Sequence, residues 1–235
     1  MTTALPPVDL RAPRIALSWS AGKDGCLVWL RLRDQGLVVS TFVTMCEEAG
    51  GASLSHALPR AWLAAQAAAC GVAWCAVDVP RSSPGSYAAA FDAALAELRQ
   101  GGHTHMAFGD IDLTAHRDWI APRCEAAGLV PLFPLWGERR SAVANEVIAR
   151  GIQAQIVALD TGRLDVGFCG AAYDQTLLYQ LPADVCPCGE DGEFHTAVTF
   201  APGMSQAVPL TVRGVELVDA QPPLAPTHIA RLVFA

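Results

Sequence analysis

The sequence predicts an α/β protein, a doubly wound parallel sheet followed by a smaller α+β domain. Three observations carry that prediction. Between Arg14 and Phe133, short apolar runs alternate with segments of helical periodicity, the pattern of a parallel sheet with crossover helices. After Pro134 the alternation gives way to a mixed segment and short strand-like runs. Hydrophobic residues make up 52% of the 235 positions and charged residues 17%. That is below the usual charged share of about 25%, so core material is ample and a disordered chain is excluded.

The elements follow in order. Residues 1–12 read as a loose tail with several prolines. Arg14 to Trp19 is a first strand, Ser20 to Gly25 a turn of small residues, and Cys26 to Arg33 a mostly buried helix ended by Gly36. Leu37 to Cys46 is a second strand, and a polar, Gly-rich loop follows. His56, at the end of that loop, reads as a cap or anchor opening a helix that runs to Cys70 and stops at Gly71. Val72 to Val79 is a third strand. Ser83-Pro84 fits an N-cap with proline at the first helical position, and Tyr87, Phe91, Leu95 and Leu98 form one apolar stripe on the helix behind it. A fourth strand, His105 to Gly109, ends at Asp110. His116 to Ala127 is helical, with Gly128 as its stop, and Leu129 to Phe133 is a fifth strand. Beyond Pro134, Ser141 can cap a helix carrying Val143, Val147 and Ile148. Strand-like runs follow at 152–159, 197–200 and 208–218. The expected organisation is a tail at 1–12, a parallel-sheet unit at 13–134 and a smaller unit at 135–235.

Composition narrows the function classes. Net charge is −7 and Arg139-Arg140 is the longest basic run, so a bare nucleic-acid binder is not expected. Mean hydropathy is +0.29, but the uncharged stretch from Ala61 to Val77 contains Gln66 and Gly71 and falls short of the roughly 20 apolar residues of a spanning helix. Asp9, Arg11 and Arg14 stand where a signal peptide would be apolar. The reading is a soluble, cytoplasmic protein with no membrane partner, and a homo-oligomer is compatible with it. The eight cysteines sit mostly inside apolar runs and read as small core residues. Of the sixteen basic side chains, Lys23 is the sole lysine. High Ala and Arg with almost no Lys point to a G+C-rich genome, against which a surviving lysine invites a chemical explanation.

That lysine stands in the turn Ser20-Ala21-Gly22-Lys23-Asp24-Gly25, between a strand and a helix. Such a turn aims backbone N–H groups and a helix N-terminus at one point, a ready anion site. Gly22 permits close approach of a phosphate, and Lys23 adds a compact charge. Asp24, in the first helical turn, can hold the loop or a Mg²⁺-bound water. The Walker A spacing is absent. The turn resembles the pyrophosphate loop S-G-G-K-D-S of ATP pyrophosphatases of the adenine nucleotide α-hydrolase group. Ala21 replaces a glycine and Gly25 a serine. Ala21 is harmless with negative φ and otherwise costs about 1 kcal/mol or more.

Two further segments resemble one family. Gly109-Asp110-Ile111, His116-Arg117-Asp118-Trp119, Cys124, Gly128-Leu129 and Pro134-Leu135-Trp136-Gly137 look like the second conserved block of the diphthine–ammonia ligases. Cys188-Gly189-Glu190-Asp191-Gly192-Glu193-Phe194-His195-Thr196 is similar to their C-G-E-x-G-E-F-x-T signature. The resemblance implies a Rossmann-like, nucleotide-binding domain of adenine nucleotide α-hydrolase type and a smaller substrate domain. It implies ATP and Mg²⁺ as cofactors, and amide formation from a carboxylate and ammonia with release of AMP and pyrophosphate. The acceptor would be diphthine on elongation factor 2, or a small-molecule carboxylate if the chain is a bacterial member. Cys186 departs from relatives that carry an Asp there. The candidate nucleotide-binding residues are Ser18, Ser20, Ala21, Gly22, Lys23, Asp24, Gly25 and Asp110; Asp24 is also the candidate Mg²⁺ ligand.

Read for its own chemistry, the second signature is an acidic turn. Glu190 and Glu193, three apart around Gly192, can face one point and hold a cation, orient ammonia or bind Mg²⁺. With Lys23 they are the candidate catalytic residues. Glu190, Glu193, His195 and Thr196 are the candidate substrate-binding residues, with Trp136 offering an aromatic face to a cationic acceptor. A solvated acidic loop is the plainer reading, and His195 can equally be a base or a packed strand residue. A zinc site at Cys186, Cys188 and His195 lacks the usual Cys spacing and a fourth ligand. The missing Cys-x-x-Cys and the acidic charge also weigh against a tRNA-thiolation enzyme, another user of this loop. The alternative function is an ATP- or AMP-binding module without ligase chemistry.

Overall fold

The computed structural model describes residues 13–48, 51–80, 85–219 and 228–235. The expected tail at 1–12 and the Ser83-Pro84 cap lie outside the described residues. Five parallel strands form the first sheet: β1 (Ile15–Ser18), β2 (Val39–Glu47), β3 (Ala73–Val79), β4 (His105–Ala107) and β5 (Val130–Leu132), in the order β3-β2-β1-β4-β5. Four helices connect them: α1 (Lys23–Asp34), α2 (Arg60–Cys70), α3 (Ser86–Gln100) and α4 (Thr114–Ala126). Alternation along β1 sends Ile15 and Leu17 into the core under α1 and α2, and Ala16 into the core under α3 and α4. The doubly wound architecture expected from the alternating pattern is present.

After α5 (Arg140–Ala149) the chain builds a second, antiparallel sheet from β6 (Gln153–Asp160), β7 (Phe194–Phe200), β8 (Val212–Asp219) and β9 (His228–Phe234), in the order β7-β6-β9-β8. A short helix, α6 (Gln175–Gln180), lies between β6 and β7. The apolar core under α1 continues without a break into Ile156, Phe194, Val198 and Leu232 of this sheet. No described helix is long and apolar enough to cross a membrane.

Several boundaries differ from expectation, each for a local reason. The first helix begins at Lys23, not Cys26, because Gly22 is extended (φ −81, ψ 171) and the loop closes one turn earlier. The second begins at Arg60, not His56: Ala57 is left-handed (φ 53) and Pro59 is the extended N-cap. Arg139 caps α5 with no side-chain bond, and Ser141 lies inside the helix. The expected strand at 197–200 starts at Phe194, that at 208–218 starts at Val212, and β9 was not expected at all.

The outer edge of β7 is not left open to pair with another chain. Its Val198 N–H donates to the Ala21 carbonyl (2.9 Å), and its Val198 carbonyl accepts from Gln66 Nε2 (2.6 Å). Gln66 is fully buried on α2, and its Oε1 accepts from Trp19 Nε1 (2.8 Å). Trp19 in turn stacks on Phe42, with ring centroids 3.8 Å apart. One amide side chain thus satisfies a buried donor at the end of β1 and a buried acceptor on β7. Gln66→Leu keeps the volume and orphans both groups. It is expected to cost about 2–4 kcal/mol, measured as a lowered midpoint in urea unfolding.

Candidate functional site

The strand order reverses at β1, where the chain leaves for β2 and returns to β4. In open parallel sheets such a switch point, at the carboxyl ends of the strands, leaves a crevice. A cleft of about 790 Å³ opens there. The loop after β1, the Gly109-Asp110 corner after β4, α3, α4 and the 188–196 segment line it. Gly109 is pressed on the loop: a Cβ there would stand 3.1 Å from Gly25 N and 3.2 Å from Asp24 C. Gly22 has as little room, since a Cβ would stand 2.9 Å from His56 Cε1 and 3.3 Å from the Thr196 carbonyl oxygen.

The loop is fastened to β7. Lys23 N–H donates to Thr196 Oγ1 (3.2 Å), beside the Ala21–Val198 bond. Ala21 has a left-handed backbone (φ 66), the case in which its Cβ is a cost rather than harmless. It is fully buried and meets β7 through its carbonyl, outside the cleft lining. Lys23 is 2% exposed. Its ammonium donates to Asp24 Oδ2 (2.7 Å) and to the Cys188 carbonyl, and lies 5.5 and 5.7 Å from the ring centres of Tyr173 and Phe194. Burial pulls the pKa of Lys23 down, but the adjacent Asp24 carboxylate leads a set of opposing charges, and the net shift is upward. An ammonium has a further donor for a ligand oxygen. Asp24 Oδ1 is buried with no hydrogen-bond partner among the described residues.

The two glutamates of the acidic turn do not face one point. Glu193 is fully buried; its Oε1 accepts from Cys186 N (2.8 Å), its Oε2 from Asp191 N (3.0 Å), and Arg163 Nη2 lies 3.6 Å away. It closes the turn rather than lining the cleft. Left-handed Gly189, just before Glu190, and Gly192, between the two glutamates, bend the chain here (φ 69 and 83). At Gly189 a Cβ would fall 2.5 Å from the Phe194 carbonyl oxygen. Glu190 alone lines the cleft. Burial, then the nearby Asp24 charge, pushes its carboxyl up to about 8, against the pull of Lys23.

Two imidazoles stand beside the loop. His195 and His56 stack with ring centroids 4.8 Å apart, and both line the cleft. Burial and then Lys23 bring His195 down to about 4. Burial, His195 and Lys23 hold His56 well below its usual range. From its sequence neighbours His56 is a cap or loop anchor; its local spacing carries no sign of the distant partner it stacks on. Asp110 lines the cleft and bonds His116 Nδ1 (2.9 Å). Ser18 and Ser20 line it as well. The opposite wall is aromatic: Tyr87 and Phe91 from α3, Phe108 after β4 and Trp119 from α4. The apolar stripe of α3 is therefore part core and part cleft wall.

The Arg117 guanidinium sits over one face of Trp136, 4.8 Å from its ring centre, and Trp136 does not line the cleft. Cys188 N–H donates to Cys186 Sγ (3.4 Å), and Cys188 Sγ to the Arg140 carbonyl (3.0 Å). Among the described residues no group of three or more His, Cys, Asp or Glu side chains is arranged to hold a metal ion.

No family model matches the chain. Over 111 residues it is 29% identical to a protein named diphthine–ammonia ligase from Schizosaccharomyces pombe, a match that spans 46% of this chain and 18% of the ligase. A solved structure described as a predicted subunit of tRNA methyltransferase from Methanocaldococcus jannaschii aligns with a TM-score of 0.45 and 14% identity, over 81% of this chain and 98% of that one.

The raised carboxyl of Glu190 has a consequence for stability. The folded state keeps its proton up to about pH 8, while the unfolded chain loses it near 4.5. The folded state thus binds more protons between those values, and stability falls as pH rises through that window. Glu190→Gln removes this loss. Urea unfolding of the variant should show a gain on the order of 1–2 kcal/mol at pH 7.5 that disappears below about pH 4.5.

Proposed function

We propose that the chain activates a carboxylate with ATP and passes the acyl group to ammonia, releasing AMP and pyrophosphate. The observation that carries this reading is the placement of the Lys23 loop. It stands at the switch point of a parallel sheet, in one cleft with Glu190 and an aromatic wall. The partial likeness to a diphthine–ammonia ligase supports the same reaction class. In this reading the parallel-sheet unit, 13–134, binds the nucleotide, and the unit at 135–235 presents the acceptor.

Tyr87 and Trp119 offer flat apolar surface to the base. The start of α1, the hydroxyls of Ser18 and Ser20 and the Lys23 ammonium take the phosphates. Asp24, with a buried oxygen lacking a partner, would hold Mg²⁺, which would supply positive charge against the phosphates. An oxygen of the acceptor carboxylate attacks the α phosphorus, and the bond to the β phosphate oxygen breaks, its electron pair leaving on pyrophosphate. Lys23 and the loop N–H groups stabilise that charge. Nitrogen then attacks the acyl carbon, and the bond to AMP breaks. Once ionised, as its carboxyl is above about pH 8, Glu190 can accept the proton that the nitrogen sheds. Glu193 serves by holding the turn that aims Glu190. The acceptor is the diphthine of elongation factor 2 or a small carboxylate metabolite.

Lys23→Ala, checked for folding by circular dichroism, should lower acceptor-dependent pyrophosphate release by roughly 100-fold or more. ADP and orthophosphate as products would sink the reading. The left-handed Ala21 and the absent hydroxyl at Gly25 favour a second reading, a nucleotide-binding module without turnover. Calorimetry with ATP, run beside a pyrophosphate assay on cell extract plus ammonium, separates the two: tight binding with no turnover selects the module.

A further inference from the structure

A polyphosphate would enter a cleft whose fixed charges do not match it. Among the described residues, Lys23 is the sole Lys or Arg side chain lining the cleft, while Asp24, Asp110 and Glu190 line it with carboxyl groups. Lys23 is already ion-paired with Asp24 at 2.7 Å. Phosphate sites are normally rich in charge-assisted donors from Arg or Lys. Here the remaining groups able to become cationic are imidazoles. His116 is mostly exposed and bonds Asp110. His56 and His195 are different: they stack on each other beside the loop, and His56 is buried with its Cε1 close against Gly22.

His56 has an unsatisfied ring atom: Nδ1 is buried with no hydrogen-bond partner among the described residues. The Thr196 backbone favours the protonated ring. A neutral ring nitrogen presents a lone pair that repels a phosphate oxygen, whereas a protonated one donates to it.

We propose that His56 and His195 are polyphosphate-binding residues that work as a proton-accepting pair, neutral in the free protein and carrying one shared proton once the phosphates arrive. The inference rests on the ATP reading above. The proton comes from solvent to a ring nitrogen of the pair, and the new N–H donates to a phosphate oxygen; no bond of ATP breaks in this step. The groups facing the pair account for the switch. Burial and Lys23 on α1 oppose protonation of both rings, and His195 opposes that of His56. The Thr196 backbone on β7 favours it in His56. Asp24 on α1 and Glu190 in the acidic turn line the same cleft and add negative charge when ionised. Incoming phosphates shift this balance toward the imidazolium, which then lies against the pyrophosphate as it leaves.

The test is calorimetric titration of the full chain with ATP and MgCl₂ at pH 7.5, in HEPES and in Tris. The two buffers differ in ionisation heat, so the difference counts protons exchanged. The expected result is uptake approaching one proton per ATP, with affinity weakening as pH rises from 6.5 to 8.5 by up to about tenfold per unit. Glu190 also titrates in this range, so Glu190→Gln is the control and should keep the uptake. His56→Gln and His195→Gln, verified as folded by circular dichroism, should lose it and flatten the pH dependence. Independently of any variant, imidazole ¹⁵N shifts of the wild-type chain should move to the protonated range on adding ATP. Binding with no uptake, or uptake that vanishes in Glu190→Gln and survives both histidine changes, overturns this proposal and leaves the nucleotide reading standing. No heat with ATP at any pH overturns both.

Discussion

The structure depends on one buried ammonium. Lys23 is the chain's single lysine, and nearly all of it is out of water. Burying an unpaired charge is prohibitive, so its partners are obligatory. Asp24, its neighbour in sequence, supplies the countercharge, and the Cys188 carbonyl supplies a dipole from a distant turn. The turn must therefore sit where the ammonium needs it. Glu193 gives up both oxygens to the backbone at 186 and 191 to keep it there. Tyr173 donates its hydroxyl to the Pro187 carbonyl (2.7 Å) and presents its ring to the same ammonium. The acidic signature is thus half structural: one glutamate builds the turn, and the other is exposed to the cleft by it.

Around that centre, steric limits matter as much as charge. The loop after β1 is squeezed between Gly109 on one side and His56 and Thr196 on the other. Those contacts leave space for hydrogen only at positions 22 and 109. The left-handed Ala21 stands beside them. Ala21 points its carbonyl at Val198, and a relaxed backbone there would turn that acceptor away from β7.

The parallel sheet was legible because its signals are local. Apolar runs of strand length, glycine stops and an apolar stripe on α3 each lie within a dozen or so residues. The loop was legible from its composition and its place between strand and helix. What the sequence hid depends on contacts far apart along the chain. Glu193 and Glu190 look equivalent at a spacing of three, and only the left-handed glycines and the Cys186 N–H separate them. Trp136 looks like a free aromatic face, but Arg117 sits over one side of it and it does not line the cleft. His56 has no local partner, and its stacking on His195 arises from the docking of β7 against the loop. Pro59 and a left-handed Ala57 displaced the start of α2 by a few residues, a turn effect that periodicity does not register.

The bond from Lys23 N–H to Thr196 Oγ1 joins positions 173 residues apart. Loop closure of that length is slow to form and gains nothing until both ends are ordered. During synthesis the first sheet emerges from the ribosome well before β7 exists. Through that interval the segment at 20–25 lacks the partners that hold its backbone. The feature that marks this protein in sequence is therefore among the last to acquire its shape, and a nascent chain carries it unfinished until the C-terminal strands arrive.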